Sequence, residues 1–149
     1  MSVKNQSIET HSEEETQKFA RDLSKLLAQG DVLLLQGDLG MGKTVFSRSL
    51  IRALCGDEQL EVPSPTFTLV QSYDSPKGTI WHFDLYRLSD SSEIYEIGWE
   101  EAIADGVVLV EWPERLGTLK PKDAIEITLS GYNNHPDKRT IEIIKHEKS

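Results

Sequence analysis

The feature that most constrains this chain is the run Gly37-Asp38-Leu39-Gly40-Met41-Gly42-Lys43-Thr44, which satisfies G-x-x-x-x-G-K-[ST] at every fixed position. Glycines let such a loop turn tightly and aim successive backbone N–H groups at one point, where phosphate oxygens bind. The flanks agree with the match. Val32, Leu33, Leu34 and Leu35 form an unbroken apolar run, as expected of a strand buried on both faces. From Lys43 to about Cys55 the spacing predicts a helix, with Phe46, Leu50, Ala53 and Leu54 as its buried stripe. A helix opening beside Lys43 adds roughly half a positive charge at its N-terminus. The reading is a P-loop for ATP, in which Lys43 reaches the β- and γ-phosphates and the Thr44 hydroxyl ligates magnesium.

Three further segments carry chemistry. Val107, Val108, Leu109 and Val110 form a second apolar run that ends on Glu111. That is the shape of a Walker B element, whose carboxylate meets magnesium directly or through water or orients the attacking water. A solvated strand end is the plainer alternative. His82-Phe83-Asp84-Leu85-Tyr86-Arg87 puts His82 and Asp84 on one strand face, and makes Asp84 a second candidate magnesium carboxylate. His82 and Arg87 read equally as a structural histidine and a salt-bridging arginine. Ser64-Pro65-Thr66-Phe67 is either a stiffened switch-like segment near the γ-phosphate or a plain turn.

Around these, Ser12 and Glu15 form a capping box, and Phe19, Ala20, Leu23, Leu26 and Leu27 one apolar face of a first helix ended by Gly30. Residues 67–73 and 79–83 read as a hairpin, 91–104 as helix broken at Gly98, and 124–129 with 140–144 as a last hairpin across a loop rich in Asn and Pro. The predicted fold class is α/β: a single P-loop NTPase-like domain over residues 1–149, three-layered, with a mixed, partly antiparallel sheet.

Composition narrows the partners. A net charge of −9 disfavours direct nucleic-acid binding, because phosphate neutralisation needs a basic surface. The apolar runs fall far short of the ~20 residues that span a bilayer, and residues 1–10 are polar with no signal-peptide core, so no membrane role and a cytoplasmic location are expected. Cys55 is the single cysteine, which excludes an intrachain disulfide and fits a reducing compartment.

Taken together, the P-loop, Pro63-Ser64-Pro65-Thr66-Phe67-Thr68-Leu69-Val70 with Tyr73, His82-Phe83-Asp84-Leu85-Tyr86-Arg87-Leu88 and Leu109-Val110-Glu111-Trp112-Pro113 resemble the TsaE (YjeE) family of tRNA threonylcarbamoyladenosine biosynthesis ATPases. The resemblance covers roughly residues 10–129. It implies a magnesium-dependent ATPase, slow alone and faster in complex with the TsaB and TsaD proteins, which transfer a threonylcarbamoyl group to an adenosine beside the tRNA anticodon. tRNA would be met only through that complex. It further implies Thr44 and Glu111 as magnesium ligands, Asp84 as a magnesium or water-positioning carboxylate and Lys43 as a catalytic cation. Thr66 would be a γ-phosphate or switch residue and Thr10 would lie near the adenine, with Val45 completing the nucleotide-binding run. The tail after Leu129 carries no clear family motif, and Lys138 or Arg139 is its candidate for approaching the nucleotide. Three rival readings are weaker. A small-molecule kinase lacks a lid segment here, a GTPase lacks Asn-Lys-x-Asp, and an adaptor holding structural ATP is separated only by a turnover assay.

Overall fold

The computed structural model describes residues 3–37, 40–65, 68–132 and 134–146. The strands are β1 (Gln6–Thr10), β2 (Val32–Gln36), β3 (Val70–Ser75), β4 (Gly78–Asp84), β5 (Val107–Glu111), β6 (Ile125–Tyr132) and β7 (His135–Lys145). The helices are α1 (Glu13–Ser24), α2 (Lys43–Cys55) and α3 (Trp99–Ala104), with 3₁₀ turns at Ser91–Ile97 and Pro113–Leu119. One seven-stranded sheet runs in the order β1-β7-β6-β2-β5-β4-β3. Its centre, β6-β2-β5-β4, is parallel, and β3, β7 and β1 are added antiparallel at the two sides.

The central strands are apolar throughout because both of their faces are covered. Alternation sends Leu33, Leu35, Val107, Leu109 and Ile80 into a core with Ala20, Leu23, Phe46, Leu50, Ile51 and Leu54 of α1 and α2. Val32, Leu34, Val108, Val110 and Phe83 point the other way, into a core with Leu85, Ile94, Trp99, Ala102 and Leu116. The chain is therefore three layers, an α/β P-loop NTPase-like fold with a mixed sheet, as the sequence predicts. Among the described residues no helix is long and apolar enough to cross a membrane.

Ser12 caps α1 as expected, its Oγ accepting from the Glu15 N–H at 3.1 Å, while Glu15 Oε1 accepts from the His11 N–H at 3.4 Å. Other expectations need correction. Helix α1 ends at Ser24, not Gly30; a turn follows, and Lys77 Nζ donates to the carbonyls of Ser24 and Leu27 at 2.9 and 2.5 Å. In α2 the buried stripe takes Ile51, and Ala53 is only half-buried. Strand β3 starts at Val70, and Phe67 lies outside the described residues. The expected loop over 130–139 is mostly strand, since β6 and β7 pair out to Tyr132 and His135. Strand β1 has no signature in the sequence. It is a polar edge segment, with Ile8 its one large apolar residue, and pairing with β7 is what orders it.

Candidate functional site

The candidate residues converge at the carboxyl ends of β2, β5 and β4, where α2 begins. The loop after β2 starts at Gly37, which packs against the backbone of β6: a Cβ there would stand 2.7 Å from the Leu129 carbonyl oxygen. It ends at Gly42, whose φ of 95° lets the chain enter α2 with Lys43 as its first residue. Asp38 and Leu39 lie outside the described residues, as does Thr66. Thr44 is exposed at the head of the helix, and Lys43 is buried at 7% exposure. The helix N-terminus, the lysine and the hydroxyl thus face one opening.

Two parallel strands bring the carboxylates there. Asp84 and Glu111 are register partners at the ends of β4 and β5, and both are buried. A cleft of about 340 Å³ is lined by Gly40, Gly42, Lys43, Thr44 and Val45 on one side, and by Ser64, Asp84, Tyr86, Glu111 and Trp112 on the other. The predicted loop, hydroxyl and carboxylates therefore meet around one space. Sequence alternation placed Asp84 and His82 on one strand face, and His82 extends the cluster inward: its Nε2 lies 2.6 Å from Glu111 Oε2. Opposite a carboxylate, which only accepts, the nitrogen that can donate is Nε2 in its N–H form. His82 Nδ1 is buried with no hydrogen-bond partner among the described residues. The histidine thus holds one Glu111 oxygen.

Backbone strain marks the same place. Leu69 and Trp112 are the non-glycine residues with positive φ among those described, at 70° and 59°. Leu69 O accepts from the Asp84 N–H at 3.0 Å, and Trp112 directly follows Glu111. Bulky residues rarely occupy this region, and they persist there only where the surroundings over-determine it, as at functional sites.

A second cleft, about 180 Å³, opens on the other side of the loop. It shares Gly40, Gly42 and Val45 with the first and is closed by Glu13, Thr16, Met41, Asp137 and Arg139. Thr10 is buried behind it, its Oγ1 2.7 Å from Thr16 Oγ1. Thr10 supports this second cleft through Thr16, and Thr16 is the hydroxyl that lines it. Arg139 pairs with Thr10 across β1 and β7, and its Nε donates to the Met41 carbonyl at 3.0 Å. Its Nη1 donates to the Pro136 and Lys138 carbonyls. Arg139 therefore fastens the loop to β7. Lys138 turns instead to Glu9 and the Tyr132 ring.

The two clefts share Gly40, Gly42 and Val45, so the loop lies between them. The residues fit magnesium. Among the described residues no group of three or more His, Cys, Asp or Glu is arranged to hold a metal alone. Magnesium is commonly held by one or two carboxylates plus substrate phosphates, and Thr44, Asp84 and Glu111 supply that kind of partial set.

What sequence reasoning missed is relational. Nothing in the order of residues says that β4 lies beside β5, which is what pairs His82 with Glu111. Arg139 was named only as a nucleotide-approaching candidate. Its role as an anchor of the loop depends on β7 continuing through residue 139, paired with Gly131 of β6, where a loop is expected from the sequence.

Comparison with known proteins adds a family. The sequence profile "Threonylcarbamoyl adenosine biosynthesis protein TsaE" matches residues 10–141. A Rickettsia conorii protein named tRNA threonylcarbamoyladenosine biosynthesis protein TsaE is 45% identical over 138 residues, covering 93% of this chain and 77% of that one. A protein of the same name from Aquifex aeolicus is 43% identical over 104 residues, 70% of this chain and 74% of its own. The crystal structure of Bacillus subtilis YdiB superposes with a TM-score of 0.74 at 28% identity, covering 99% of this chain and 89% of that one.

Proposed function

We propose that this chain, which belongs to the TsaE family of tRNA threonylcarbamoyladenosine biosynthesis proteins, is the ATP-binding and ATP-hydrolysing subunit of that pathway, dependent on magnesium and acting in the cytoplasm. The observation that carries the reading is the shared cleft: the glycine loop, Lys43 and Thr44 on one wall, Asp84 and Glu111 on the other. ATP lies along the loop, with the phosphates on its amides and on the α2 N-terminus and the adenine toward Thr16, Arg139 and the supporting Thr10. Gly37, Gly40, Met41, Gly42 and Val45 are proposed to bind the nucleotide, as are Asp38 and Leu39, which lie outside the described residues. Thr44, Asp84 and Glu111 would hold magnesium, which would neutralise charge on the β- and γ-phosphates. Water forms a new bond to the γ-phosphorus as the β–γ bridging bond breaks and ADP leaves. Lys43 stabilises charge on the γ-phosphate, and Glu111, steadied by His82, orients the water. Thr66 is the proposed γ-phosphate contact of the segment after Pro65.

Among the described residues no arginine lines the main cleft, and Arg48, which lines the small adjoining pocket with Thr44 and Glu111, has its Nε engaged on the Val62 carbonyl at 2.9 Å. Phosphoryl transfer without such a cation is slow, and adding one typically gains roughly 10³ to 10⁵ in rate. The partners TsaB and TsaD are therefore proposed to complete the site, with tRNA met through them. Steady-state phosphate release by the chain alone, then with TsaB, TsaD and tRNA, tests this. A low basal rate with marked stimulation is expected. A basal rate equal to that of the complex would show a self-sufficient site, and no ATP-dependent phosphate release in either case would remove the ATPase assignment.

A further inference from the structure

Lys43 is the residue the proposed chemistry most needs on the phosphates, yet here its Nζ lies over an indole, 3.7 Å from the centroid of the Trp112 ring. The ammonium is sheltered, since Lys43 is almost wholly buried, while Trp112 is half-buried at the cleft wall. The contact is also built from both sides. Trp112 sits at φ 59°, ψ 52°, the left-handed conformation that turns the chain between β5 and the 3₁₀ turn after it. Tyr86 packs on the indole with ring centroids 4.8 Å apart. The Tyr86 N–H in turn donates to Asp84 Oδ1 at 3.0 Å. Trp112 thus directly follows Glu111 and Tyr86 stands two residues after Asp84, and both aromatics line the cleft that holds Lys43 and Thr44.

We propose that Trp112 is the resting seat of Lys43. In the nucleotide-free protein the indole face holds the ammonium, and a bound triphosphate draws it away. Trp112 is then a positioning residue that sets ATP affinity by competing for the lysine. This rests on the ATP reading of the site. The exchange runs in that direction because a desolvated ammonium is attracted to an indole face, but a charge-assisted bond to a phosphate oxygen is stronger. The seat keeps a buried cation satisfied while the loop waits, and moderates affinity without blocking binding.

The consequence is opposite in sign to structural damage. Removing the indole destabilises only the free state, so Trp112→Leu tightens ATP binding, lowering Kd by roughly fivefold to thirtyfold. Trp112→Phe, which keeps a weaker ring, gives a smaller gain. Damage to the cleft would instead weaken binding in both variants.

Two measurements decide it. Calorimetric titration of Mg-ATP into the wild type and both variants reads the affinities. Proton–carbon NMR of protein carrying ¹³C-lysine reads the seat directly in the wild type, with the Lys43 ε-CH₂ signal assigned by its loss in Lys43→Arg. The expected result is a ring-current upfield shift of that signal in the free protein, removed on saturation with Mg-ATP, together with tighter ATP binding by Trp112→Leu. An ordinary ε-CH₂ shift in the free protein overturns the proposal. So does a shift that stays when ATP is bound, or a folded Trp112→Leu whose affinity is unchanged or weaker. If Trp112→Leu does not fold, the wild-type spectra alone decide. Absence of any ATP binding by the wild type would overturn the ATP reading and the exchange with it, which is distinct from ATP binding without movement of Lys43.

Discussion

The two faces of the sheet are covered by different kinds of structure. On one, α1 and α2 lie against Leu33, Leu35, Leu109 and Ile127 in a core that runs on to Ile141 and Ile143. On the other, two 3₁₀ turns and the six-residue α3 are packed around aromatic rings, with Phe83 and Trp99 edge-on at 5.3 Å. The helical face positions the polar groups. Ile80, His82 and Asp84 on β4, like Leu109 and Glu111 on β5, share the side facing α2, so the carboxylates emerge beside its N-terminus. The irregular face supplies Trp112, which meets Lys43 from across the cleft. A rigid face that places charges, opposed by a looser face that places rings, lets the site be both preorganised and adjustable.

The comparison can be broken in several ways, and the largest expected effect is on chemistry. Glu111→Ala should lower kcat for ATP hydrolysis about 10²- to 10³-fold, because orienting water and charge matters most in the transition state. Asp84→Ala should act in the same direction. Affinity for ATP should change far less, which separate titration and single-turnover assays would resolve. Equal losses in binding and turnover would move both residues from chemistry to general site structure.

Next comes the helical core. Phe46 is wholly buried between α2 and the sheet. Phe46→Ala should cost about 3–5 kcal/mol in chemical unfolding. A cost below ~1 kcal/mol would mean that this face is not the stable scaffold described.

Hydrogen exchange tests the difference between the faces in one protein. The Phe46 amide, bonded to the Gly42 carbonyl at the start of α2, should exchange only through near-global unfolding. The amides of Gly98, Ala102 and Arg115, bonded within the short turns of the other face, should exchange through openings at least about 2 kcal/mol cheaper. Uniform protection across the two sets would erase the contrast.

These contrasts also explain what could be read in advance. The P-loop was legible because its residues are contiguous and each has a fixed duty. So were β2, β5 and α2, whose apolar patterns are long and regular. The break at Gly98 was legible because its φ of 90° suits glycine. Strand β1, the outer neighbour of β7, was not, because Gln6–Thr10 is a polar edge strand with little periodic signal. Nor was the link from Thr10 to Thr16, which depends on that strand, or that from Arg139 to the loop, which depends on β7 running past its expected start at Thr140. The His82–Glu111 pair follows from strand order alone. The Lys43–Trp112 contact follows from a backbone angle at Trp112 that no residue pattern announces.

The smallest effect concerns the ion pairs of the irregular face. Glu126 on β6 is bridged by Lys120 and by His146, the latter at 3.0 Å. Burial pushes its carboxyl upward, but the hydrogen bonds and charges of Lys120 and His146 outweigh that and hold it below the usual range. A depressed carboxyl contributes stability above its unfolded pKa and loses it as pH falls through the folded value. Glu126→Gln should therefore cost about 0.5–1 kcal/mol near neutral pH. The difference from wild type should shrink as pH falls from the ordinary carboxylate range through the lower folded value, below which both carry a neutral side chain. Thermal unfolding across that range reads it, and a constant difference would assign the effect to packing.

The central claim is that the loop ending in Lys43 and Thr44 is a triphosphate site, and isothermal titration of Mg-ATP into the wild type and Lys43→Ala tests it most directly. Saturable binding by the wild type, with affinity lowered at least about tenfold in a folded Lys43→Ala, is the predicted result, since removing a point charge from the phosphates costs on the order of 1.4 kcal/mol or more. Equal affinity in the two proteins would contradict it.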